Sequence, residues 1–298
     1  MLNSQTLCFE WLRSKKEDVK PSTYDKYEMI INNYLISFFD HNSLEQLNIN
    51  IIKEYLMKLL NKGLSSSVVK TIKNVLKAIY TTYENQYGFN HIDFSLLKIE
   101  EEQKETAYPT DKQFKQLHQY CLNKNNDICL SILLAMDTGM MIGEIVALKV
   151  SDIDLENQLI HISKRAQRTK NDDIGSKTIY EVYDVEWPML RDITIPKELF
   201  FYLQEYLKDK ENDCYLTSNL YVVSEVTKLQ RGLDRIGSKY GFKTTFKDLR
   251  NTYKERCLKS CMDINILMEL LGVQSLKLNL PENYKSSNEE KKRQVNKL

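Results

Sequence analysis

Basic side chains are the densest chemical feature of this chain, and they come in runs. Between Tyr55 and Tyr83 stand five lysines, Lys58, Lys62, Lys70, Lys73 and Lys77, and no acid. Between Lys228 and Lys259 stand ten bases against Asp234, Asp248 and Glu255, a local net charge of +7. Leu159–Tyr180 carries five bases, among them Lys164, Arg168 and Lys170, and two acids. The whole chain is balanced, with 42 Lys and Arg against 41 Asp and Glu, so a net charge of +1 hides these patches. Local basic patches on a neutral chain are an electrostatic footprint for a phosphate backbone. One such patch is an ordinary solvated helix face. Three of them favour double-stranded DNA as the partner.

Other chemistries are weaker. Cys257 and Cys261 stand one helical turn apart, but no second pair completes a metal site, so they read as buried structural thiols. Cys8, Cys121, Cys129 and Cys214 form no CxxC pair with them, which points to a reduced, cytoplasmic protein. His41, His91, His118 and His161 are scattered and read as surface or core filler, so no metal is expected. No glycine-rich phosphate loop occurs. The longest apolar stretch, Ile128–Met136, has nine residues, against about 20 for a membrane span. Met1–Gln5 lacks the basic and apolar regions of a signal peptide. No membrane partner is expected.

The elements that must position the basic groups are mostly helices. Hydrophobic residues make up 42% of the 298 and charged ones 28%, while Gly (9) and Pro (5) are too scarce for an all-β chain. Tyr24, Tyr27, Ile30, Ile31 and Tyr34 mark one helical face, with Ser22 or Thr23 as N-cap. Ile51–Asn61 is a helix stopping at Gly63, and Val68–Tyr87 one capped by Ser65–Ser67 and stopped by Gly88. On the latter, Lys70, Lys73 and Lys77 share a face opposite Val69, Ile72, Val75, Leu76 and Ile79. Four acids between Glu100 and Glu105, then Pro109, mark a linker. Thr110 caps a helix to Asn123, Ile128–Asp137 is a buried helix ended by Gly139, and Ile142–Leu148 resumes. Leu159–Ser163 and Asp192–Pro196 read as strands of one sheet, with Thr178–Trp187 as an inserted ribbon between them. Pro196–Lys208, Lys228–Tyr240, Phe246–Lys259 and Asp263–Leu271 read as helices, and Asn288 starts a last one in the charged tail.

These residues carry a family pattern. Asp137–Glu144 (DTGMMIGE) resembles the "TGMRIGE" motif of tyrosine recombinases, the phage integrase family. Lys247–Thr252 (KDLRNT) resembles their "HDLRHT" box, and Leu270–Val273 their "LLGH" turn. Tyr284 stands eleven residues after Val273, about where their nucleophile belongs. The stretch from Trp11–Leu12 through Pro21–Tyr24 to Gly63–Ser65 is similar to the core-binding domain of conjugative-transposon integrases, a group of mobile-element proteins. The resemblance spans nearly the whole chain in order. It implies a mainly α protein with a small β-sheet. Residues 1–99 would form a helical, SAM-like core-binding domain and 100–109 a linker. Residues 110–298 would form an α+β catalytic-type domain with a tail.

The resemblance also implies a reaction. A tyrosine oxygen attacks a DNA phosphodiester, forms a 3′-phosphotyrosyl link and releases a 5′-hydroxyl, which later reverses the step. Phosphodiester energy is conserved, so neither ATP nor a metal is implied. Two arginines, a histidine or tryptophan and a lysine meet the transition state. This chain departs from that set. Met141 holds the first arginine position, Lys247 the histidine of the box, Asn251 the second histidine and Val273 the last. Arg250 and Tyr284 match. The hairpin lysine is Lys170 or Lys164 if the first strand sets the register; by the second strand, Val185 or Glu186 falls there. The implied catalytic set is therefore Tyr284, Arg250, Lys247 and Lys170, and the DNA contacts are Lys70, Lys73, Lys77, Arg168 and Lys243. Three readings follow: a DNA-binding family member with a degenerate strand-cleaving site, an active site-specific recombinase with an altered clamp, and a helical scaffold without DNA. The basic faces speak against the third. In the first, the chain would self-associate on DNA or partner an active recombinase.

Overall fold

The computed structural model describes residues 3–100, 109–170 and 178–276, the side chain of Lys170 excepted. Most of the expected linker (101–108), Tyr284 and the charged tail lie outside the described residues. The chain divides into two compact units, residues 1–107 with 166–182 and residues 108–165 with 183–298.

The first unit is built from α1 (Ser4–Ser14), α2 (Pro21–Ile30), α3 (Ile36–Phe39), α4 (Ile49–Asn61) and α5 (Ser66–Tyr87). A wider π-helical turn, Ile31–Leu35, carries α2 into α3. Helix α2 begins two or three residues earlier than Ser22 or Thr23 as cap would place it. Pro21 takes the first helical position and Lys20 the cap. Proline fits there because its fixed φ is helical and its missing N–H has no intrahelical role. Helix α5 behaves as its sequence dictates. Ser65 Oγ accepts from Val68 N at 3.4 Å, and Gly88 closes the helix at φ 69°. Val69, Ile72, Val75, Leu76, Ile79, Tyr80 and Tyr83 are buried along one side. Each large side chain fully buried there contributes about 1.5–3 kcal/mol. Tyr83 Oη donates to Leu7 O at 2.9 Å, tying α5 to α1.

The second unit is organised around α7 (Asp127–Thr138), which is buried on nearly every side from Cys129 to Met136. Packed on it are α6 (Asp111–Leu122), α8 (Ile142–Ala147), α9 (Lys197–Tyr206), α10 (Val226–Lys239) and α11 (Phe246–Lys259). Helix α12 (Ile264–Leu271) follows α11. An antiparallel sheet runs in the order β1 (Ile153–Asp154), β2 (Leu159–Ile162), β5 (Arg191–Thr194). β3 (Lys164–Lys170) and β4 (Thr178–Asp184), most of whose residues belong to the first unit, form a separate two-stranded ribbon. The protein is thus mostly helical with small sheets. Cys257 is buried, but Cys261 is exposed and lies beyond the end of α11 in a left-handed turn (φ 59°), so the two thiols do not share a helix face. No helix among the described residues is long and apolar enough to cross a membrane.

Candidate functional site

The motif residues converge on two helix ends. Helix α7 stops at Gly139 (φ 67°) and α12 at Gly272 (φ 63°). Both positions require glycine. A Cβ at Gly139 would strike the Tyr253 ring and come within 2.9 Å of Leu271 Cδ2, and one at Gly272 would lie 2.8 Å from Arg191 Nη1. Arg250, on α11, bridges these ends. Its Nη1 donates to Gly139 O at 2.8 Å and its Nη2 to Leu271 O at 2.7 Å. Carbonyls at helix C-termini carry partial negative charge, which suits a guanidinium.

A second arginine lies behind the first. Arg191 opens β5, and its Nη1 and Nη2 donate to the two carboxylate oxygens of Glu144 at 2.9 and 3.1 Å. The two side chains are 2% and 0% exposed. Arg191 Nε donates to Leu270 O at 2.8 Å, and Nη1 also reaches Met189 O at 2.8 Å. Glu144 Oε2 further accepts the N–H of Met141 at 2.8 Å, which fixes the start of α8. Two guanidinium groups therefore hold successive carbonyls, Leu270 and Leu271, of the turn that presents Val273.

Electrostatics separate the two arginines. Burial pulls the Arg250 guanidinium below its ordinary value. Glu144 opposes that shift, and the positive charges of Arg191 and Arg165 add to it. An arginine stays protonated in a protein, so the shift expresses a charge that is costly to hold. Among the described residues, two of its five N–H donors serve carbonyls.

The other expected site residues are distributed as follows. Lys247 is exposed on α11, one helical turn before Arg250 and on its side of the helix. Met141 and Val273 are half-buried. Lys243 is exposed just before α11, and Lys164 is exposed at the start of β3. Exposed Arg168 donates from Nε to Thr178 Oγ1 at 2.7 Å. In the first unit Lys77 is exposed and Lys70 half-buried. Lys73 donates to Leu97 O at 2.9 Å, and burial, with Lys70 and Lys77 beside it, pulls its pKa down. Its ammonium has a backbone partner that the helix pattern did not foretell. Sequence reasoning missed Arg191, Glu144 and Arg165. The strand period held a signal for the first. Arg191 alternates with Asp192 and faces inward with Ile193, and an inward arginine needs an acid. His118 is more than filler: its Nε2 lies 2.9 Å from both Asp137 carboxylate oxygens.

Residues 108–291 match the phage integrase family, and residues 5–60 match the phage integrase N-terminal SAM-like domain. The chain belongs to the phage integrase family. It is 27% identical to a "Tyrosine recombinase XerC-like" protein of Caldanaerobacter subterraneus subsp. tengcongensis, over 90% of this chain and 74% of that one. It is 30% identical to "Tyrosine recombinase XerA" of Saccharolobus solfataricus, over 56% of this chain and 50% of that one. Its fold is similar to that of the Tn1549 transposon integrase solved in complex with a circular intermediate DNA, with a TM-score of 0.82 at 17% identity, covering 100% of this chain and 99% of that one. This integrase family chain therefore shares the fold of a transposon integrase and is related in sequence to proteins named tyrosine recombinases.

Proposed function

We propose that this phage integrase family chain binds duplex DNA through its phosphates and that its strand-cleaving chemistry is impaired. The observation that carries the reading is Arg250, held by Gly139 O and Leu271 O between the turns of Met141 and Val273. The side chains of those two flanking positions hold no N–H or O–H donor, where the family pattern implies arginine and histidine or tryptophan. The basic runs and the DNA-bound relative supply the polyanion. Loss of a single transition-state donor slows a reaction about 10²- to 10³-fold, and donors acting as a unit do not add simply. The exposed ammonium of Lys247, one turn from Arg250, favours a second reading in which it replaces part of the lost charge. The chain would act beside a second copy or an active recombinase.

A nicked suicide duplex tests this. The expected result is salt-sensitive duplex binding with no covalent protein–DNA adduct. An adduct that disappears in Tyr284→Phe would establish the active reading instead. Absence of duplex binding would leave the scaffold reading.

A further inference from the structure

A large aromatic side chain stands open to solvent beside the turn that Arg250 holds. Trp187 is 73% exposed, more than any other large hydrophobic residue among those described, whereas Trp11 is 3% exposed inside the first unit. No hydrogen bond or ring contact holds the Trp187 indole among the described residues. A lone exposed hydrophobe is ordinary on a protein surface. Trp187 is set apart by its mounting. Residues 186–190 form a tight turn before β5, in which the N–H groups of Met189 and Leu190 both donate to Glu186 O, at 2.8 and 3.0 Å. Val185 N donates to Ser163 O at 2.9 Å, which fastens the entrance of the turn just past the end of β2. Buried Arg191 fastens its exit, with Nη1 on Met189 O at 2.8 Å. The turn also lies directly on the glycine stop of α12. A Cβ at Gly272 would stand 3.1 Å from Pro188 O and 2.8 Å from Arg191 Nη1. One residue earlier, Leu271 O accepts from Arg250 Nη2 at 2.7 Å. One residue later stands Val273, whose side chain donates nothing.

We infer that Trp187 is a DNA-contacting residue of this site, its ring lying against the deoxyribose C–H surface of the duplex backbone and its Nε1–H donating to a phosphate oxygen. The inference rests on the DNA-binding reading proposed above. A duplex backbone alternates anionic phosphates with apolar sugars. Arg250 and the exposed Lys247 answer the first, and an uncharged ring with one donor answers the second. The fixed turn keeps the entropy cost of the contact low, since the indole has only two torsions to lose and its backbone is already ordered. Glu186 beside it is exposed and acidic, so this part of the surface holds the duplex by contact and not by charge.

The test uses the full chain, acrylamide quenching of tryptophan emission, and a short labelled mixed-sequence duplex titrated against NaCl. Trp11 is buried, so the quenchable emission reports Trp187. Quenching should be strong without DNA and fall severalfold when duplex saturates the protein, and this change should vanish in Trp187→Phe. Trp187→Ala should keep the wild-type melting temperature, as an exposed position does, and lose roughly ten- to a hundredfold in duplex affinity. Its log–log salt slope should stay that of the wild type, because an uncharged side chain releases no counterion. Trp187→Phe, which keeps a ring and lacks the N–H, should bind with intermediate affinity. An indole already shielded before duplex is added, as a second protein copy on this face would make it, overturns the inference. So does an indole equally quenched in the saturated complex, or a Trp187→Ala that binds like the wild type. A salt slope shallower by about 0.9 in Trp187→Ala also overturns it, because a phosphate contact elsewhere would have been lost with the turn. If Trp187→Ala does not fold, the quenching of the wild type decides, since it needs no variant. Where any of these results stands beside an Arg250→Gln that weakens binding, the reading of Arg250 survives alone. A wild type that binds no duplex removes both.

Discussion

Arg191 and Arg250 hold neighbouring carbonyls of one turn, yet they end in opposite conditions. Arg191 makes four hydrogen bonds, two of them to a carboxylate, and is closed to solvent. Arg250 has two carbonyl partners, and the carboxylate that favours its charge, Glu144, is paired with Arg191. A guanidinium in a poorly solvated site is stabilised only when its donors and its charge are both answered. Arg191 meets both conditions inside the protein and is structural. Arg250 meets each condition only in part, with two carbonyl acceptors and a carboxylate it shares with Arg191.

The largest effect should follow from breaking the closed pair. Arg191→Met strands the Glu144 carboxylate in a dry pocket, and Glu144→Gln strands the guanidinium. Each should cost about 3–5 kcal/mol in denaturant unfolding. The double variant Glu144→Leu with Arg191→Met should recover most of that, because replacing both partners removes the stranded charge. A single substitution costing under about 1 kcal/mol, the range of an exposed pair, would make this contact no different from a surface one.

Met141→Arg sharpens the contrast from the other side. It restores a planar donor fork beside Arg250. Met141 is half-buried, so its position has access to solvent. The expected outcome is tighter duplex binding, with any Tyr284-dependent cleavage increased. Full rescue should also need Lys247→His and Val273→His. A fall in melting temperature with no gain in affinity would place Met141 in the core and remove it from the site.

How far the sequence carries this comparison depends on the range of each interaction. Arg250, Gly139 and Gly272 were legible because each sits in a short local motif, and a left-handed helix stop is written in the glycine itself. Helices α5 and α7 were legible from the spacing of their apolar residues. Lys20 as cap of α2 was not, because Ser22 and Thr23 have better capping side chains and only Pro21 decides the start. The Arg191–Glu144 pair joins residues 47 apart in the chain. Local periodicity says that each faces inward but not that they meet. Arg165 lies within a basic run read as one patch, and only its enclosed Nε sets it apart from its neighbours.

The smallest effect comes from a third charged contact, one that titrates where the arginines do not. His118 Nε2–H donates a hydrogen bond to the Asp137 carboxylate, which raises the imidazole pKa above the usual 6.5. Burial opposes this, the charges of Asp137 and Glu198 reinforce it, and Arg256 opposes it. Arg256 itself lies over the Phe114 ring at 4.3 Å. Because the folded-state pKa is the higher one, the folded protein holds this proton more tightly than the unfolded chain does. The contribution is therefore complete below the ordinary imidazole range and declines as pH rises through the raised value. Melting temperature measured across that range should fall more for the wild type than for His118→Gln or Asp137→Asn. Equal pH slopes in wild type and His118→Gln would show that the imidazole gains nothing from Asp137, and the α6–α7 contact would then rest on its apolar residues alone.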